Sequence, residues 1–315
     1  MLHGDGEPLL ADYQNGGTHF CYAMMKADIA ESKAFRNLLP GGTVYDLETP
    51  YGYGGPLSDG LIPEEDQQRF QTEMAEFCRA ENIISQFVRF HPLLGNESLM
   101  PLAFETRYMR DTIFIDTSCE ALINQNMDSK SRNMVRKAAK NGVTIEQKDI
   151  SEYEDFLSMY EETMLRDQAE DYYFFKREYF ESQRELNHNA TIFYAIREEI
   201  PIAGAIIYYN NRFAHYHLAG TQTEYRQYAP SNLLLYEVAC WAARNGIRQF
   251  HLGGGMAPED SLFGFKKQFN KNGRLPFVIG RTVFNRERYQ SLLKLRKQAD
   301  PDFNENNNRM IQYRC

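Results

Sequence analysis

The stretch HYHLAGTQTEYRQYAPSNLLLYEVACWAARNGIRQFHLGGGMAPEDSLFGFKKQF, residues 215–269, decides the fold. It reads as the end of a strand over 212–220, a loop over 221–230 and a helix over 231–245. A second strand over 248–252 and the glycine run Gly253-Gly254-Gly255 follow. This order aims two backbone-rich features at one place: the helix start at Ser231, which reads as an N-cap, and the glycine turn leaving the next strand. A helix that begins after a strand presents unpaired N–H groups and the positive end of its dipole there. The phosphates of a carried acyl donor or of an acceptor suit such a place. Lys266, one short segment later, would serve developing negative charge in the same cleft.

Outward from this stretch, 315 residues leave room for two domains. The 20 Tyr and 21 Phe against one Trp fit polar-tipped aromatic surfaces in clefts, or rings filling a core. No apolar run reaches the roughly 18–20 residues that span a bilayer, and no signal pattern opens the chain. His3-Gly-Asp-Gly-Glu looks like the middle of a hairpin turn. Cys21, Cys78, Cys119, Cys240 and Cys315 are scattered and never in CxxC spacing, which argues against a disulfide framework or zinc knuckle and fits a reducing cytoplasm. A net charge of −8 disfavours broad nucleic-acid binding, DNA in particular. The charge is uneven: 129–145 is basic and 151–171 acidic.

The chain repeats itself weakly. Residues 80–87 and 243–250 match at five of eight positions, each at the end of a helix that feeds a strand. Two similar α/β halves with mixed sheets follow. The first spans 1–148 and is completed by 280–300, the second spans 149–279, and the Asn-rich tail 301–315 reads as loose. Extended segments are expected near 19–25, 43–47, 83–90, 103–108 and 112–116. A helix over 64–80 carries Phe70, Met74, Phe77 and Cys78 on one face. A basic helix over 127–141 and an amphipathic helix over 151–166 come next. A helix near 176–186, a hairpin pairing 191–196 with 202–209, a strand over 276–284 and a helix over 286–298 complete the elements.

Several residue sets could carry chemistry. Arg132, Arg136 and Lys140 line one helix stripe, suited either to a phosphate-bearing ligand or to a solvated face, or one that pairs with the acidic helix after it. The loop Thr49-Pro-Tyr51-Gly52-Tyr53-Gly54-Gly55-Pro56 is either a ligand-contacting loop or a tight structural turn. Asp46 and Glu48 lie two apart on a strand and offer either a general base or a turn cap. His215 and His217 share a strand face, with His251 on a neighbouring strand. A three-histidine metal site lacks a carboxylate or thiol at suitable spacing, so no metal is expected. His217 or Tyr216 as a proton acceptor is the more attractive use. No nucleophile elbow, Walker loop or dinucleotide fingerprint is present.

The segments Arg132-Asn-Met-Val-Arg136-Lys137-Ala-Ala-Lys140-Asn-Gly142-Val and Tyr160-Glu-Glu-Thr163-Met-Leu-Arg166 resemble the Fem family. So do Tyr216-His217-Leu-Ala-Gly220-Thr, Ser231-Asn-Leu-Leu-Leu and Leu252-Gly253-Gly254-Gly255, followed by Phe265-Lys266-Lys267-Gln268-Phe269. Fem enzymes are peptidoglycan bridge-forming aminoacyltransferases within the wider acetyltransferase (GNAT) superfamily. The resemblance implies an α/β fold of two tandem GNAT-like domains with a cleft between them. It places Phe265 and Lys266 at the family's catalytic Phe-Lys pair. It implies aminoacyl-tRNA or acyl-CoA as co-substrate, no tightly bound cofactor, and an amine acceptor on a muropeptide, sugar or peptide. Passing contact with a membrane surface fits such an acceptor. Two departures stand out: no long helical hairpin insertion, and a loop, Arg226-Gln-Tyr-Ala229-Pro-Ser, that only partly fits the acetyltransferase pyrophosphate pattern. The expected function is N-acyl transfer to a cell-envelope precursor. The alternatives are a coenzyme-A-dependent N-acetyltransferase and a non-catalytic precursor-binding protein.

Overall fold

A computed structural model of the chain describes residues 6–314, so the turn expected around His3 lies outside the described residues. The chain divides into two units, one made of residues 6–110 with 276–314 and the other of 111–275. The sequence reading placed the first boundary near 148. The basic helix expected to end the first half instead lies in the second.

The first unit contains β1 (Glu7–Asn15), β2 (Thr18–Asp28), β3 (Tyr45–Glu48), β4 (Leu57–Ser58), α1 (Glu64–Ala80), β5 (Ile83–Arg89) and the start of β6 (Glu105–Asp116). β1 and β2 form an antiparallel hairpin, β2 pairs with β3, and β3 pairs in parallel with β5 through the α1 crossover. α1 has the bounds expected from its period. It buries Phe70, Met74 and Cys78, whereas Phe77 is exposed. Asp66 in its first turn accepts from Tyr13 Oη (2.7 Å), Asn15 Nδ2 (2.7 Å) and Thr18 Oγ1 (2.6 Å), which fixes the hairpin to the helix start.

The segment after 300 is not loose. Phe303, Met310, Ile311 and Tyr313 are buried, and Tyr313 Oη donates to Asp46 Oδ2 at 2.9 Å. Arg314 Nε donates to the same carboxylate at 2.7 Å, and its Nη1 reaches Glu48 Oε2 at 2.9 Å. Asp46, only 1% exposed, is therefore a structural anchor, which corrects the general-base reading of the Asp46/Glu48 pair. The apolar residues are spaced among asparagine turns, so no sequence period announces their burial.

The second unit holds α2 (Glu120–Asn126), α3 (Ser129–Lys140), β7 (Thr144–Asp149), α4 (Glu154–Arg166), α5 (Arg177–Ser182), β8 (Ala190–Arg197), β9 (Ile200–Tyr209), β10 (Phe213–Thr221), α6 (Pro230–Arg244), β11 (Gln249–Gly253) and α7 (Ser261–Lys267). β12 (Arg274–Val283) leads back to the first unit, where α8 (Arg286–Ala299) follows. The strand order is β6-β11-β10-β9-β8-β7. Strand alternation divides the interior in two. Phe193, Ala195, Ala205 and Ile207 face the core built around α6, while Ile192, Tyr194 and Ile206 face the core built around α4. α6 buries Leu233, Leu234, Leu235, Val238 and Ala239, each such side chain contributing about 1–3 kcal/mol.

The two units share the order strand, helix, parallel strand. The register of the repeat differs by one residue from the identity match, because the left-handed residue after α1 is Asn82 and the one after α6 is Gly246. No helix among the described residues is long and apolar enough to cross a membrane.

Candidate active site

β10 and β11 pair in parallel over three residues only: Phe213 with Gln249, Ala214 with Phe250, and His215 with His251. Beyond that point the ladder ends, and Gly253 pairs with Ile113 of β6 on its other side. The two strands part, and α6 starts from the loop that follows β10. Within the strand–helix–strand stretch of the second unit, β10 and β11 are therefore unpaired with each other beyond His215 and His251. The far half of β10 and the turn after β11 lie beyond the last pair.

The glycine turn is built by a carboxylate that the sequence reading missed. Asp260 is the N-cap of α7: its Oδ1 accepts from Phe263 N at 2.8 Å, and its Oδ2 accepts from Met256 N (2.7 Å) and Ala257 N (2.9 Å). Burial pushes its carboxyl up, but these backbone donors outweigh that and hold it below the usual range. A Cβ on Gly255 would lie 2.0 Å from Asp260 Oδ1, so only glycine lets this cap close. α7 begins eight residues after Gly253, which is why the run is no nucleotide fingerprint.

Lys266, in the last turn of α7, is 7% exposed and donates from Nζ to the Gly254 carbonyl at 2.7 Å. Burial lowers its ammonium pKa to about 8, and the nearby Asp260 charge opposes the shift. Phe265 beside it packs on the α6 core and meets Phe269 edge-on at 5.4 Å. Lys266 and Gly254 are brought together, and Gly253, at positive φ, begins the turn.

The start of α6 differs from expectation. Ser231 is not the N-cap. Ala229 takes that position in the left-handed conformation (φ 56°), and Pro230 fills the first helical position, where its missing N–H costs nothing. Ser231 Oγ instead pairs with Thr221 Oγ1 at 2.9 Å, tying the helix start to the end of β10. Arg166 supports the same corner by donating to the Thr221 carbonyl at 3.1 Å.

The histidines separate. His217 stacks on Tyr208 with centroids 4.0 Å apart, and its Nε2 lies 2.5 Å from Tyr179 Oη. Burial drops its pKa to about 3, so it is neutral at working pH and a weak proton acceptor. Tyr216 faces the α6 core, where burial raises its phenol pKa. His215 and His251 bond to each other, Nδ1 to Nδ1, at 3.1 Å. Among the described residues no group of three His, Cys, Asp or Glu gathers as a metal site.

Of the basic stripe, Arg132 turns to the carbonyls of Asn124 (3.1 Å) and Met127 at the end of α2. Arg136 is exposed and touches Asn133 Oδ1 at 3.2 Å. Among the described residues Lys130, Arg136, Lys137 and Lys140 form no ion pair, so α3 presents uncompensated positive charge; pairing with the acidic helix does not occur. The Tyr51–Tyr53–Gly54 loop belongs to the first unit. Arg89 pins it through the carbonyls of Thr49 (2.8 Å), Pro50 (3.2 Å) and Gly52 (3.0 Å). Gly54 admits no Cβ, which would lie 2.3 Å from Thr49 Cγ2, and Tyr53 packs between His91 and Phe277, burial raising its phenol to about 12.

Residues 126–267 match the acetyltransferase (GNAT) domain family model, a span that runs from the end of α2 to the end of α7. Among solved structures, FemX is 14% identical with a TM-score of 0.66, and the match covers 92% of both chains. The C-terminal domain of a putative lysylphosphatidylglycerol synthetase from Agrobacterium fabrum is 14% identical with a TM-score of 0.58, covering 90% of this chain and 86% of that one. L-PGS from Bacillus licheniformis is 13% identical with a TM-score of 0.54, covering 89% of this chain and 85% of that one. No curated protein matches the chain in sequence. The chain thus shares the fold of FemX, and residues 126–267 within it match the GNAT acetyltransferase domain model.

Proposed function

We propose that this protein is an N-acyltransferase of the Fem/GNAT type that transfers an aminoacyl or acyl group to an amine of a cell-envelope precursor in the cytoplasm. The observation that carries the proposal is Lys266: a buried ammonium held by the Gly254 carbonyl where β10 and β11 have parted. A buried charge whose nearest hydrogen-bond partner is neutral, helped only by the nearby Asp260 charge, is costly for stability, and such groups concentrate at functional sites.

In this reaction the acceptor amine attacks the carbonyl of an ester or thioester donor. The new C–N bond forms, the carbonyl oxygen becomes an oxyanion, and Lys266 with nearby backbone N–H groups stabilises it. Collapse of the adduct breaks the bond to the donor's oxygen or sulfur. Phe265 holds the lysine's helix against the core. The exposed charges of α3 (Lys130, Arg136, Lys137 and Lys140) suit a phosphate-bearing substrate such as charged tRNA.

One observation favours the coenzyme-A alternative. Ala229 adopts the left-handed conformation that a glycine takes most readily, which supports a loop able to turn backbone N–H groups toward a pyrophosphate without glycine. Incubation with a lysine-containing muropeptide and either charged tRNA or acetyl-CoA separates the two donors. Transfer by the wild type and its loss in Lys266→Ala are expected. Full transfer by Lys266→Ala refutes the catalytic role. Precursor binding with no turnover under either donor supports a binding protein instead.

A further inference from the structure

The segment 303–314, anchored on Asp46, also walls a hollow. Residues 102–105, the end of β12, the start of α8 and Gln312 line about 580 Å³, and all of them belong to the first unit. A space of that size holds a small organic molecule. Phe104 and Tyr289 in its lining are buried and Val283 is partly so, whereas Leu102 is 54% exposed. The charges of the lining do not balance. Arg281 and Glu105 neutralise each other through Nε–Oε2 (2.9 Å) and Nη2–Oε1 (3.1 Å) bonds, and Arg281 Nη1 donates to the Met310 carbonyl at 2.9 Å. Arg286, exposed at the start of α8, makes no ion pair or hydrogen bond through its side chain among the described residues. Tyr289 holds an unused donor. Its Oη accepts from Gln312 N at 2.9 Å and lies beside the Arg281 guanidinium. An oxygen that faces two donors turns its own hydrogen away from them, and no acceptor for that hydrogen is present among the described residues. With Tyr289 only 4% exposed, a donor left there without an acceptor is costly.

We propose that this hollow binds a small organic carboxylate with an apolar body. The carboxylate accepts from Tyr289 Oη and pairs with the Arg286 guanidinium, and the apolar body covers Leu102 and Val283. One uncompensated cation and one unused neutral donor match a single negative charge. Glu105, already held by Arg281, is not available to receive a cation instead. The apolar lining favours such a ligand over an inorganic anion, which would leave that surface wet. The site lies within the first unit and does not rest on the acyl-transfer reading.

Carbon-13 methyl NMR of the full chain titrated with octanoate tests this. Saturable shifts are expected at the Leu102 and Val283 methyls. Arg286→Gln, a change at an exposed side chain, should weaken octanoate binding about tenfold. Tyr289→Phe keeps the ring and should weaken it roughly fivefold. Octanol, with the same chain and no charge, should bind the wild type about tenfold more weakly than octanoate and be indifferent to Arg286→Gln. Absence of saturable shifts at these methyls overturns the proposal. So does octanoate binding that either variant leaves unchanged. Octanol bound as tightly as octanoate overturns it too, because the hollow is then an apolar groove that does not recognise the carboxylate.

Discussion

Replacing Lys266 with methionine is expected to stabilise the folded protein near neutral pH and to lose that advantage in alkali. The ammonium pKa falls from 10.5 in the free side chain to about 8 when buried. Each unit is worth 1.36 kcal/mol, so the charged form costs about 3 kcal/mol in the folded state. Methionine keeps the stem's volume and removes the charge, but it also forfeits the bond to the Gly254 carbonyl, about 1 kcal/mol. The variant should therefore gain roughly 2 kcal/mol at pH 7. The sign with pH follows from the depressed pKa. Between about 8 and 10.5 the unfolded lysine holds its proton and the folded one has released it, so wild-type stability rises through this window. Equilibrium urea unfolding of both proteins at pH 7, 9 and 10.5 measures the difference, and other titrating groups cancel. A stability difference that stays constant across the window refutes the claim that the folded protein buries this ammonium.

Three further outcomes follow from the packing. Arg314→Ala strands the Asp46 carboxylate in the first unit's core and should cost roughly 3–5 kcal/mol, measured by denaturant unfolding, with much of the loss recovered in Arg314→Ala/Asp46→Asn. Asp260→Asn removes the charge that supports the Lys266 ammonium, so the lysine's titration, followed by NMR at Nζ, should move further below about 8. Arg136→Glu/Lys137→Glu should leave the melting temperature within a few degrees of wild type, because neither side chain forms an ion pair, yet weaken retention on a heparin column.

Much of the architecture was legible because the chain writes strong periods. α1 and the hairpin of β8 and β9 stand where alternation and heptad-like spacing place them, although the turn is made by Glu198 and Glu199, both at positive φ, rather than by glycine. Edge strands were not legible: β7, with the sequence TIEQKD, shows little alternation, and β1 contains Pro8. The two extended segments around 103–116 are one strand, β6, whose exposed Arg107 and Tyr108 and polar Arg110 and Asp111 mask its continuity. At the site, Lys266 could be found because a short motif carries it. Asp260 could not, since its role is side chain to backbone and leaves no period. The sequence placed His215 and His251 on neighbouring strands, but their direct pairing depends on a parallel register of three residues that leaves no sequence mark. Ser231 was misassigned because Pro230 is better suited to open a helix.

The split composition of the first unit dictates an order of birth. Its strands β1 to β5 leave the ribosome early, yet the partner strand of β5, β12, and the Tyr313–Arg314 anchor are translated only after the whole second unit. The second unit is one uninterrupted stretch and can close its core while synthesis continues. The half that starts first must therefore wait, with Asp46 and the β5 edge uncovered, for the half that starts second.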